Sequence, residues 1–114
     1  MMHIAELLND KYGKDTVKLT ITDEYYNMAD VIREHYELVE YAIQAVRMAG
    51  AQEIIKPIRG GTDGSQLSFR GLPCPDFGTG LYGAHGPFEH ITVEAMDTVT
   101  QILLNVVQLF AEQR

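Results

Sequence analysis

The sequence predicts an α+β fold, and three observations carry that expectation. Apolar residues recur at helical spacing in several runs, alternate with polar residues in another, and the two patterns take turns along the chain. Between them lies a stretch unlike either, Ile58-Arg59-Gly60-Gly61-Thr62-Asp63-Gly64, followed beyond a proline-bearing link by Gly78-Thr79-Gly80-Leu81-Tyr82-Gly83-Ala84-His85-Gly86. Glycine, charge, hydroxyl and imidazole concentrate there, whereas the flanks read as packing.

The elements follow in order. Ile4, Leu7 and Leu8 stand at helical spacing and Tyr12-Gly13 makes a natural stop, so a short first helix is expected. It opens without a Ser, Thr or Asp cap, as a helix entered part-way does, and this raises the expectation of a fragment or truncated chain. Val17-Lys18-Leu19-Thr20-Ile21-Thr22 alternates, which puts Val17, Leu19 and Ile21 on the inner face of a half-buried strand. In Asp23-Glu24-Tyr25-Tyr26-Asn27-Met28 the adjacent tyrosines end that strand or cover a site, and packing is the plainer expectation. Asp30 is placed to cap a helix near Val31. Tyr36, Val39, Ile43 and Val46 trace a further helical run that Gly50 should stop in the left-handed conformation, with His35 a surface or capping residue at the join.

Ile54-Ile55-Lys56-Pro57-Ile58 is a short β-prone run that Pro57 confines to an edge or an end. Thr62 or Asp63 then caps a helix reaching Arg70, stopped by Gly71 before Pro73. Gly60-Gly61 therefore lie where a strand delivers the chain to a helix N-terminus, whose unpaired N–H groups suit an anion and whose lack of Cβ lets one approach. Pro73 and Pro75 make Leu72–Phe77 an extended link. Thr92 opens a last helix from Val93 to Glu112, with Met96, Val99, Leu103, Val106, Val107 and Phe110 on one face and Ile102, Leu104 and Leu109 widening it, as for packing on a sheet. The expected order is helix, strand, helix, strand, helix, strand, helix, with a division near Lys56-Pro57.

Bulk properties exclude several function classes. At 114 residues and 46% hydrophobic composition the chain has the size of one domain with a real core. A net charge of −7 argues against nucleic acid or an anionic membrane as partner, since both need a basic face. No apolar run long enough to span a bilayer occurs, and Met1-Met2-His3-Ile4 lacks the regions of a signal peptide. Cys74 is the single cysteine and cannot form an internal disulfide, so a cytoplasmic home is expected.

His85 is the chief chemical candidate. A neutral imidazole in a glycine-flanked loop is suited to zinc, although it equally suits a hydrogen bond to a backbone carbonyl, and zinc takes at least three protein ligands. His90 follows five residues later, an offset that fixes no pairing in a turning loop, and Glu89 and Asp76 read equally well as surface acids. Arg59 beside Gly60-Gly61 suits a carboxylate such as a peptide C-terminus, or a salt bridge within this acidic protein. The Gly-Gly-Thr-Asp-Gly stretch is neither a Walker loop nor a dinucleotide fingerprint. Cys74, between two prolines, reads as a packed thiol.

The run Ile58-Arg59-Gly60-Gly61-Thr62-Asp63-Gly64-Ser65-Gln66-Leu67-Ser68-Phe69-Arg70-Gly71-Leu72-Pro73-Cys74-Pro75, with Asp23-Glu24-Tyr25-Tyr26-Asn27-Met28 upstream, resembles the C-terminal signature of the peptidase T family, tripeptide aminopeptidases among the di-zinc peptidases. The likeness covers essentially all of this chain and about the last quarter of such an enzyme. It implies that residues 1–57 end an inserted lid domain of helix-strand-helix-strand order, and that residues 58–114 close the α/β zinc-bearing catalytic domain. His-Gly-x-x-Glu followed by aliphatic-Thr-x-Glu puts the family's metal-ligand role on His85 rather than His90, and substrate contact on Arg59, Gly60, Gly61 and Thr62. Two departures concern substrate preference: Leu81-Tyr82-Gly83-Ala84 replaces the usual aromatic and Asn residues before the histidine, and Pro87 stands where Lys is usual. The other metal ligands and the general-base glutamate would lie upstream, so no catalytic residue is expected in this chain. The isolated chain is then expected to be inactive and to bind neither of the two zinc ions by itself. The implied substrate is a small peptide. A homo-oligomer formed through exposed apolar surface is also expected, and the rival reading is a non-catalytic, self-associating module built on the same fold piece.

Overall fold

A computed structural model describes residues 1–112, and its regular elements are helical. They are α1 (Met2–Tyr12), α2 (Ala29–Ile32), α3 (Glu37–Met48), α4 (Asp63–Phe69) and α5 (Val93–Ala111), with a 3-10 turn, Arg33–His35, between α2 and α3.

Local chemistry sets most of their ends. Gly13 stops α1 at φ 111° and Gly50 follows α3 at φ 73°, both as expected from glycine's freedom in that region. Thr62 caps α4 and Thr92 caps α5, each hydroxyl accepting the backbone N–H three residues on, from Ser65 and from Ala95, at 3.2 Å. At α2 the cap differs from expectation. Asn27 Oδ1 accepts the Ala29 N–H at 3.1 Å, and Asp30 lies inside the first turn, 3.5 Å from Arg33. A short amide side chain reaches the N–H two residues along, and Asp30 stands too far into the helix for that. His35 is half-buried, 3.6 Å from the Glu37 carboxylate.

The packed centre is a contact between α3 and α5. Ala45 is fully buried against Ile102 and Leu109, flanked by Tyr41, Val46, Ala49 and Val106. Tyr41 meets Phe110 at 4.6 Å between ring centroids. Asn105 is buried in the same seam and stays paired, donating to Ala45 O at 3.1 Å and accepting from Gln101 at 3.0 Å. The inner stripe of α5 is thus Ile102, Asn105 and Leu109, whereas Met96, Leu103, Leu104 and Val107, the last 67% accessible, stay exposed. Apolar residues occupy most of the circumference of α5, so periodicity alone could not choose the face. The surface it meets is a helix and not a sheet.

The segments read as strands carry no ladder among the described residues. Among the described residues the one β-type pairing is an isolated antiparallel bridge between Tyr82 and His90. A strand is defined by its neighbour, and residues 17–22 and 54–58 have the alternation or β-branching of strands without an adjacent backbone to pair with. The single core expected from composition is likewise small, with Ile32, Ala45, Ile102 and Leu109 the buried apolar side chains.

The shape agrees. The radius of gyration is 20.3 Å, against about 13 Å for a compact domain of this length. The accessible surface is 9485 Å², against about 6,300 Å² for a folded monomer of this mass. No described helix is long and apolar enough to cross a membrane. The α3–α5 contact joins residues on both sides of position 57, and the last two positions of the expected 58–114 unit lie outside the described residues.

Candidate functional site

The double-glycine turn is built by side chains distant in sequence. Gly60 sits at φ 106°, a conformation that favours glycine. Gly61 lies under the ring of Tyr25, so closely that a Cβ would stand 2.0 Å from Tyr25 Cγ. Beyond it, Ser65 Oγ donates to Tyr26 O and Gln66 Nε2 donates to Glu24 O, each at 2.7 Å, while Tyr26 packs edge-on against Phe69 at 5.7 Å. From the other side the proline-bearing link crosses α4 at Gly64, where a Cβ would meet Cys74 O at 2.6 Å and Asp76 Oδ1 at 2.7 Å. Ser68 Oγ accepts the Cys74 N–H at 2.9 Å. Cys74 is therefore half-buried and pinned by its backbone, as expected of a packed thiol.

An open cleft of about 1080 Å³ runs beside this turn. Tyr25, Met28, Ile43, Ile55 and Phe77 give it an apolar wall, and Gly60, Gly61 and Thr62 form part of its rim. Arg59, although next to the turn, does not line it, and among the described residues its guanidinium has no ion-pair partner. The internal salt bridge that was the alternative reading of Arg59 is therefore not formed among the described residues.

His85 lies in a separate, self-contained loop. The backbone N–H of Tyr82 donates to His90 O at 2.8 Å and that of His90 to Tyr82 O at 3.0 Å, closing nine residues into one unit. Inside it, Gly86 N–H donates to Gly83 O at 3.0 Å, Glu89 N–H to Gly86 O at 3.1 Å, and His85 N–H to the Glu89 carboxylate at 2.6 Å. His85 itself adopts φ 61°, which is uncommon for a residue with a side chain and marks a backbone held by its surroundings.

The two histidines of the loop differ in use. His90 stacks on Tyr82 at 5.4 Å between centroids, and its Nδ1 lies 2.7 Å from Phe88 O. The His85 ring is exposed and makes no hydrogen bond among the described residues. As a metal donor His85 fits, with a free imidazole on a braced backbone. No group of three His, Cys, Asp or Glu side chains that could hold a metal converges among the described residues. The structure brings Gly60, Gly61 and Thr62 to the cleft and leaves His85 outside its lining. The residue that sequence reasoning undervalued is Tyr25, whose only local signal was its place in a tyrosine pair.

Away from the turn, Arg47 at the end of α3 bonds Glu53 through Nε at 3.0 Å and through a second, closer contact from Nη2. That hydrogen bond, more than charge alone, raises the Arg47 pKa and holds the Glu53 carboxyl below its usual range.

No family model matches this chain. Individual relatives do. A peptidase T of Caldanaerobacter subterraneus is 44% identical over 110 residues, which is 96% of this chain and 27% of the relative. A peptidase T of Alkaliphilus oremlandii is 47% identical over 108 residues, 95% of this chain and 26% of the relative. This chain is similar to the C-terminal part of peptidase T. A third example, the peptidase T of Clostridium acetobutylicum, matches 99% of the chain at 40% identity, again over 28% of its own length. The chain thus spans little more than a quarter of the peptidase T relatives it matches.

Proposed function

We propose that this chain acts as the C-terminal portion of a peptidase T-like metalloaminopeptidase, which removes the N-terminal residue of tripeptides. The observation that carries the reading is the division of labour within the Tyr82–His90 loop: His90 is consumed in bracing it, and His85 is presented with both ring nitrogens free. In the complete enzyme His85 would hold one of two metal ions, zinc being the metal that imidazole and carboxylate ligands favour. When bound, such a pair supplies Lewis acidity and an activated water. Arg59, Gly60, Gly61 and Thr62 would meet the peptide, the guanidinium on a carboxylate and the turn through backbone N–H groups.

The remaining ligands would come from the part of the fold that this chain does not contain, so the isolated chain is inactive on this reading. Residues 1–57 would end a lid and residues 58–114 close an α/β catalytic domain, with residues 17–22 and 54–58 as strands of an α+β fold. The bare α5 face and the excess of accessible surface support that reading, since both are what a missing neighbour leaves behind. An acidic, cytoplasmic enzyme acting on small peptides fits the net charge of −7.

The experiment mixes this chain with a peptidase T relative shortened by its last 110 or so residues, a length set by the matched span. Tripeptide cleavage that needs both polypeptides and is lost on chelation is the expected result. Activity of this chain alone, or none from a pair that associates and binds zinc, counts against the reading. The same exposed surface favours a second reading, self-association without catalysis. Light scattering that gives a stable dimer, with no binding to the shortened relative, would select it.

A further inference from the structure

We infer that Tyr25 is a positioning residue for the Arg59-Gly60-Gly61-Thr62 turn: its ring, seated on the bare α-carbon of Gly61, decides where the turn holds its backbone N–H groups. That those groups face substrate rests on the function proposed above. The steric lock itself does not.

Four observations converge. No Cβ fits at Gly61 while the Tyr25 ring is in place, so glycine is required there by the neighbour, not by backbone angle. At Gly60 a Cβ would meet nothing within 4 Å, so the turn has no such restraint beside its left-handed residue. The carbonyls of Glu24 and Tyr26, which point the same way in an extended chain, both accept from α4, and this leaves Tyr25 directed at the turn and Tyr26 at Phe69. Finally, Tyr25 is still 46% accessible and lines the cleft with Gly60, Gly61 and Thr62. Its ring therefore serves as a stop for the turn on one side and a wall for a ligand on the other.

The test needs neither metal nor substrate. Trypsin takes its substrate as an extended segment, so cleavage after Arg59 is favoured when the turn around Gly60, held at φ 106°, opens, and nicking tracks the open population when closing is fast. In the full chain, Tyr25→Ala is expected to speed nicking at Arg59 about tenfold, whereas Tyr25→Phe, which keeps the ring, stays within about twofold of the parent. Gly61→Ala expels the ring and is expected to match Tyr25→Ala. The double variant Tyr25→Ala/Gly61→Ala should be no faster than either single one, because both remove the same contact. Cleavage after Arg47, at the end of α3 beside the α3–α5 core, serves as the folding control and should not change. Additive effects of the two substitutions, a Phe variant as fast as the Ala variant, or a parallel rise at Arg47 would each overturn the inference. If the lock holds while the mixed pair of the preceding section is inactive, the functional reading alone has failed. If the pair is active, Tyr25→Ala should raise KM more than it lowers kcat, and Tyr25→Phe should restore KM.

Discussion

The two glycine-rich segments of this molecule, Arg59–Thr62 and Tyr82–His90, are held in opposite ways. Tyr82–His90 closes on itself, every bond that shapes it lying within its own nine residues. The Arg59–Thr62 turn is held by partners far away in the chain: the arm that covers it reaches α4 through bonds spanning 39 and 42 residues, and the Tyr25 ring does the rest. Closing a short loop costs less entropy than closing one of about forty residues, so the histidine loop leans less on the rest of the fold. The turn depends on long-range packing in a chain with a small core. One half of the candidate site is thus preorganised locally, and the other is only as firm as the fold around it.

Substitutions can break that contrast or sharpen it. Gly64→Ala forces a Cβ against Cys74 O and Asp76, and is expected to cost about 2 kcal/mol through overpacking. Hydrogen exchange should show protection lost across α4 and the covering arm, and kept in Tyr82–His90. Removing the α4 cap with Thr62→Ala should cost about 1 kcal/mol, read as faster exchange at Ser65 and a lower melting temperature. Tyr82→Ala tests the other half. Loss of the stacked His90 partner should cost about 0.5–1 kcal/mol and shift the His85 and His90 ring resonances while those of α4 stay in place. An effect of Tyr82→Ala that spread to α4 would contradict the independence of the two segments.

The smallest effect is expected from acid. Glu53 is held below its usual pKa by the Arg47 hydrogen bond, so its contribution is present above the unfolded value and is lost as pH falls through the depressed folded one. The pair is exposed, which keeps the contribution small. Acid should loosen residues 51–53 at the end of α3, and Glu53→Gln should abolish that pH dependence without touching either glycine-rich segment.

Much of the helical framework was legible from residues alone. Gly13, Gly50 and Gly71 stop their helices, and Thr62 and Thr92 start theirs, because a cap or a left-handed residue acts within three or four positions. Asn27 took the place expected of Asp30 for an equally local reason, the reach of its side chain. What escaped was non-local. No pattern in Asp23–Met28 says that Tyr25 lies on Gly61, and none in α5 says that Ile102 and Asn105 face inward while Leu103 and Val107 do not. The strand-like segments were legible as alternation and β-branching, but a ladder needs two segments to pair, and among the described residues these do not.

From its letters alone this protein has its helix ends, its acidic charge and its paired glycines, since each follows from the conformational range or charge of single residues, whereas the resemblance to peptidase T is what set His85 apart from His90 as a candidate metal donor. Tertiary structure alone decided that His90 is spent on Tyr82 while His85 is left free, and that an aromatic ring seats the double-glycine turn. The first outcome follows from closure of a nine-residue loop and the second from contact between segments far apart in the chain, and neither is a property of a single residue.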